Sequence, residues 1–218
     1  MNNINHQLII IKGYNMLLCF AGSMIMNEPS EDCIKDFWGK GVLKNLPVKS
    51  TNPDFIKAAS LLRSSCDDKT VCEKKLRNDY SRLFKMSDSP LAPPYETIYD
   101  RHTVSGNGKS CVTDFYNSYG WESKYNGKIK DDHLGIELLF LTILIDKYLA
   151  FDDKACLSEM GNEIRRFIDT HLFPWIKEWS NQVQIHSETA CYKGIAALIL
   201  ACTTDIYDLL KESQSYYS

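Results

Sequence analysis

The stretch Asp131-Asp132-His133-Leu134-Gly135-Ile136-Glu137-Leu138-Leu139-Phe140-Leu141 decides the fold. A charged turn runs straight into a segment that stays apolar through residue 149, broken by charge at Glu137 and then only near its end, at Asp146 and Lys147. A helix that is apolar nearly all round is buried on most sides, so residues 134–149 are expected to form the central helix. Asp131 or Asp132 is expected to cap its first turn, where free N–H groups and the helix dipole favour a carboxylate. An imidazole beside two carboxylates at the mouth of a rigid element suits a binding site. It equally suits a plain cap with a solvated histidine.

Outward from this segment the chain punctuates into amphipathic helices. Toward the N-terminus, residues 6–21 form a first helix with Leu8, Ile11, Met16 and Leu18 as core positions. The run 8–26 is apolar enough to suggest a leader or an anchor. Lys12, Gly13 and Asn15 interrupt it, no basic segment precedes it and no small-residue cleavage site follows, so a core helix of a cytoplasmic protein with no stable membrane insertion is expected. Glu28-Pro29-Ser30 begins another helix, and Asn52-Pro53 is a cap followed by proline at the first helical position. Asp67-Asp68 opens a helix with Cys72, Leu76, Tyr80, Leu83 and Phe84 on one face. Adjacent prolines in Leu91-Ala92-Pro93-Pro94-Tyr95-Glu96-Thr97-Ile98-Tyr99 hold an extended loop that carries two aromatics and a carboxylate. Such a loop serves recognition or simple packing.

On the C-terminal side, Val112, Phe115, Tyr116 and Tyr119 make a short helix stopped by Gly120, and residues 120–132 form a polar bridge that could act as a hinge. Leu157 to Leu172 keeps helical spacing, Pro174 starts or kinks the next segment, and 188–210 is a long closing helix with Cys191, Ile195, Leu198, Cys202 and Ile206 as its stripe. No segment alternates as a strand does. The expectation is an all-α, single-domain helical bundle over residues 1–218 with short connections.

Composition narrows the function classes. With 25 Lys and Arg against 28 Asp and Glu the net charge is -3, so no broad nucleic-acid footprint is expected. The 8 cysteines include no C-x-x-C pair and read as reduced core thiols; Cys66 and Cys72, flanking a polar loop, are the pair to watch. The 5 histidines show no metal-ligand spacing, and no nucleophile elbow is present. Gly106-Asn107-Gly108-Lys109-Ser110 resembles the end of a phosphate loop but lacks the earlier glycine and the preceding strand. The chain is therefore read as a binding protein, not an enzyme.

The ordered set Tyr80-x-x-Leu83-Phe84, Pro93-Pro94-Tyr95-Glu96-Thr97-Ile98-Tyr99, Asp114-Phe115-Tyr116 with Gly120, Asp131-Asp132-His133-Leu134-Gly135-Ile136-Glu137, and Phe167-Ile168-Asp169-x-His171-Leu172-x-Pro174-Trp175 resembles the TorD/DmsD family of cytoplasmic molybdoenzyme maturation chaperones. One departure is Lys128-Ile129-Lys130 where the family usually places a Glu-Pro pair before the Asp-His. The resemblance implies an all-helical fold. It implies that the chain binds the twin-arginine signal peptide of an apo molybdenum-cofactor redox enzyme, aiding cofactor insertion and delaying export. Contacts carried over by position are Tyr80, Leu83, Pro94, Tyr95, Glu96, Tyr99, Asp132 and His133. The carboxylates would meet guanidinium groups, and the aromatics would line a groove for the apolar part. It further implies no tightly held cofactor, weak guanine-nucleotide binding, and a monomer or a domain-swapped dimer. Two alternatives stand beside it: a GTP-binding helical protein using Lys109, and a generic helical scaffold.

Overall fold

The computed structural model describes residues 2–34, 45–65, 69–85, 89–100, 111–125 and 127–214. These form α1 (Asn2–Met26), α2 (Glu31–Ile34), α3 (Pro53–Arg63), α4 (Lys69–Tyr80), α5 (Glu96–Tyr99), α6 (Cys111–Ser118), α7 (Leu134–Leu149), α8 (Lys154–Phe167), α9 (Ile176–His186) and α10 (Ala190–Gln214). Two helices run on into wider π turns, α4 through Ser81–Lys85 and α8 through Ile168–Leu172. The described residues contain no strand, and the all-α expectation holds.

The apolar run becomes the central helix as expected. Leu134, Ile136, Leu138, Phe140, Leu141, Leu144 and Ile145 of α7 are all fully buried. Its principal partner is α1, which also packs on α10, while α10 in turn carries α3, α9 and α8. Closeness between α1 and α7 depends on missing side chains. A Cβ on Gly135 would fall on Met26 Cγ and lie 3.2 Å from the Gly22 carbonyl oxygen.

By length and composition the Asn5–Met26 span of α1 could cross a membrane, and 61% of its most apolar 18-residue window is buried inside the protein. Ile11, Leu18, Ala21 and Ile25 are fully covered, whereas Ile9 and Met16 are exposed along a narrow opposite stripe. The helix runs further at both ends than residues 6–21.

Carboxylates, one buried and one half-buried, tie the bundle. Asn52 caps α3 as its sequence predicts, accepting from Asp54 N at 2.9 Å. Its amide also donates to Asp205 of α10, which accepts from Tyr14 and Ser50 as well, at 2.6–2.7 Å. Asp79 near the end of α4 takes bonds from Ser187 Oγ, Thr189 Oγ1 and the backbone N–H groups of Glu188 and Thr189. In this way α4 holds the turn that leads into α10, while Thr189 Oγ1 accepts from Tyr192 N within α10 itself.

Cys72 is disulfide-bonded, not a free thiol; spacing alone cannot report the close Cα approach that permits a bridge, and Cys66 lies outside the described residues. The Asp67-Asp68 helix start and the phosphate-loop-like stretch 106–110 also lie outside them. In the bridge 120–132, Gly120 and Gly127 take φ of 60° and 77°, a left-handed turn geometry that suits glycine.

Candidate functional site

The proline-aromatic segment and the start of α7 lie side by side. Pro94 O accepts from Leu134 N at 2.9 Å, Glu96 N donates to Asp132 O at 2.9 Å, and Tyr95 pairs with His133 as an isolated antiparallel bridge. Because two prolines forbid helix at 93–94, the backbone there is extended and free to pair. The segment is also pinned upstream. Leu91 N and Ala92 N donate to the carbonyls of Arg82 and Leu83, and Trp179 Nε1 donates to Ala92 O at 3.2 Å. Those two carbonyls lie in the last turn of a helix, where backbone acceptors are left over, and the incoming loop bonds to them.

His133, not Asp131 or Asp132, is the N-cap of α7. Its Nδ1 accepts from Gly135 N at 3.0 Å, which fixes Nδ1 as the unprotonated nitrogen. Burial pushes the imidazole down to about 4, so it is neutral at physiological pH. The aspartates are engaged elsewhere. Asp132 accepts from Thr97 Oγ1 at 2.5 Å, and Asp131 accepts from Thr113 Oγ1 at 3.2 Å. Neither the solvated histidine nor the aspartate cap is what forms, because the loop that covers the turn supplies partners the local sequence does not contain.

Beneath the segment sits a group of acids. Glu96 is fully buried and shares a hydrogen bond with His171 Nδ1 at 3.2 Å; burial pushes its carboxyl up, against the pull of His171. Glu137, one turn into α7, is also fully buried, and neither of its oxygens has a hydrogen-bond partner. The nearby Trp175 indole N–H is committed to His171 O at 2.6 Å. Desolvation first, then the charges of Glu96 and Asp132, hold Glu137 well above the usual carboxylate range.

The eight sequence-derived positions have different exposures. Tyr80, Leu83, Pro94, Glu96, Asp132 and His133 are buried, whereas Tyr95 and Tyr99 keep part of their surface open. Tyr80 donates to Met26 O at 3.0 Å, and burial pushes its phenol up to about 12. Tyr95 meets the His133 ring edge-on at 5.2 Å with Lys130 Nζ 5.8 Å from its ring centroid, and Tyr99 stacks on buried Trp175 at 5.6 Å. Ile98, between the tyrosines, is 51% exposed. Thr97, His171 and Trp175 also build the site without having been among the expected contacts. Glu137 stands out in the sequence as a lone early charge in an apolar helix, but nothing there shows that it lacks a partner.

The sequence model described as nitrate reductase delta subunit matches residues 50–181, more than half of the chain. The chain belongs to that family. Among curated relatives it is 27% identical over 135 residues to the chaperone protein TorD of Vibrio cholerae serotype O1, covering 62% of this chain and 61% of that one. It is 25% identical over 175 residues to the chaperone protein TorD of Vibrio parahaemolyticus serotype O3:K6, covering 79% and 80%. The match thus spans somewhat under two thirds of the Vibrio cholerae relative's length. Membership of the TorD/DmsD group, expected from the ordered motifs, is borne out. The family match takes in α3 through most of α9, so both π turns, the proline-aromatic segment and the Asp-His turn fall within it, whereas α1 and α10 do not.

Proposed function

We propose that this chain is a cytoplasmic maturation chaperone that binds the twin-arginine signal peptide of an apo molybdenum-cofactor redox enzyme, aiding cofactor insertion and delaying export. It is not an enzyme in this reading. Family membership supports the chaperone role. The observation that carries the site is the direct pairing of residues 94–96 with residues 132–134.

A signal peptide of this kind combines paired guanidinium groups with an apolar stretch. Tyr95, Ile98 and Tyr99 offer open apolar surface at i, i+3 and i+4, suited to the apolar stretch. Glu96 and Asp132 supply negative charge directly underneath, covered by the segment as folded. The bonds at Pro94 and Glu96, the Thr97–Asp132 contact and the Tyr95–His133 ring contact join the segment to the α7 turn. Lifting it there exposes the carboxylates to arginine, whose planar fork matches them two bonds at a time. Buried Tyr80, Leu83, Pro94 and His133 form the floor that holds these groups in place. The bridge 120–132 is the hinge at which a domain-swapped dimer would exchange. Leader binding requires no nucleotide.

The test is titration calorimetry with a synthetic twin-arginine leader. Replacing Tyr95 and Tyr99 together by alanine weakens binding roughly tenfold to a hundredfold, corresponding to about 1.5–3 kcal/mol of lost apolar contact. Changing the leader's arginine pair to lysine weakens it too. A folded double variant that binds the leader as tightly as the unmodified protein removes this site.

A further inference from the structure

The open side of the proline-aromatic segment borders α9. Tyr99 stacks on Trp175 at 5.6 Å, and Trp175 is the N-cap of α9, close to one turn before Glu178. This brings the Glu178 carboxylate beside the Tyr99 phenol, which burial first and then the charge of Glu178 push up, so the phenol keeps its proton. The Tyr99 hydroxyl oxygen is shielded from water and has no hydrogen-bond partner. Surface glutamates elsewhere are answered by arginine: Glu28 and Glu73 by Arg77, Glu188 by Arg82, and Glu163 by Arg166. Glu178 is exposed and accepts only from Gln182 Nε2, at 2.9 Å, and among the described residues no Lys or Arg forms an ion pair with it. Glu178, Gln182 and Ile185 share one stripe of α9 at i, i+4 and i+7, and Ile185 is 69% exposed. A free carboxylate beside an aromatic ring, flanked by open apolar surface at Ile98 and Ile185, is complementary to a cation with a planar face and several donors.

We infer that Glu178 and Tyr99 form a guanidinium seat on the rim of the site, where one arginine of the leader docks while the proline-aromatic segment is still closed over α7. The inference rests on the peptide-binding reading above. A guanidinium carries five donors in a plane. Two of them match the Glu178 carboxylate, a third is available to the Tyr99 oxygen, and the plane can lie against the ring. A lysine ammonium lacks both the fork and the flat face, so the seat favours arginine. Because Glu178 is exposed in the folded protein, it is reached without lifting the segment, before the acids beneath it.

The test is a double-mutant cycle between protein and leader, read by titration calorimetry. Glu178→Gln keeps the oxygen that accepts from Gln182 and removes only the charge. It is expected to weaken the synthetic twin-arginine leader roughly threefold to fivefold at low ionic strength, a loss that shrinks as salt is raised. Against a leader in which the seated arginine is replaced by glutamine, the same variant loses nothing, and against the leader with the other arginine replaced it loses the full amount. Glu163→Gln removes one charge from a carboxylate already held by Arg166 and should bind the leader as the unmodified protein does. Unchanged affinity in Glu178→Gln, an equal loss with either arginine replaced, or the same loss in Glu163→Gln would each overturn the seat while the peptide reading stands. A leader that gives no binding heat with the unmodified protein overturns that reading and the seat with it.

Discussion

At the scale of the residue, His133 shows how one side chain can serve fold and site together. Its Nδ1 occupies the position a serine or aspartate oxygen normally takes at an N-cap, while its ring meets Tyr95. Replacing it by alanine leaves the Gly135 N–H without a partner and is expected to cost about 0.5–2 kcal/mol in urea denaturation, largely restored by His133→Asn, whose amide oxygen can cap. The histidine also writes a pH dependence. Its folded value near 4 lies below the unfolded value near 6.5, so the unfolded chain binds the extra proton between them. Stability is therefore fully present above pH 6.5 and is lost as pH falls toward 4, by roughly 3 kcal/mol from this group. His133→Asn should keep the cap and lack that loss, which denaturation series at pH 7, 5.5 and 4.5 would show.

At the scale of the element, the turn that leads into α10 is held by a residue from another helix. Asp79 belongs to α4, yet it accepts from the backbone N–H groups of Glu188 and Thr189, just ahead of α10, and from the hydroxyls of Ser187 and Thr189. Asp79→Ala would orphan several buried donors at once and is expected to lower stability by roughly 2–3 kcal/mol, with Asp79→Asn losing less because its carbonyl still accepts. Urea midpoints of the two variants decide this; equal midpoints for Asp79→Ala and the unmodified protein would mean the clamp contributes nothing. The π turns belong to the same scale. Helical spacing through Leu83 and through Leu172 is visible in the sequence, but the widening is not. It accompanies carbonyls at Arg82 and Leu83 that bond to a loop returning from residues 91–92, a contact between stretches the periodicity treats separately.

At the scale of the whole molecule, α1 is the informative case, since its composition suits a membrane as well as a core. The fold gives its two faces different partners: Leu18 is fully buried, and Met16 is 59% exposed. Met16→Lys should leave the melting temperature and the sedimentation profile unchanged. Leu18→Asp places an unpaired carboxylate in the core and should leave the chain insoluble or unfolded. Equal damage from both would indicate that α1 works in an apolar medium on all sides.

The chain's own pattern was enough for the helical class, for the central position of residues 134–149, for the Asn52-Pro53 start of α3 and for the long closing helix, because apolar periodicity and caps are local properties that each segment carries with it. The ordered short motifs were likewise enough for the family. What only the tertiary structure decided is which groups are left for binding. It put Asp132 on Thr97, Glu96 on His171 and the cap on His133, and it left Glu137 buried with no donor. The partners of Asp132 and Glu96 lie far away in the chain, and burial and hydrogen-bond satisfaction are properties of the packed ensemble of segments rather than of any one of them.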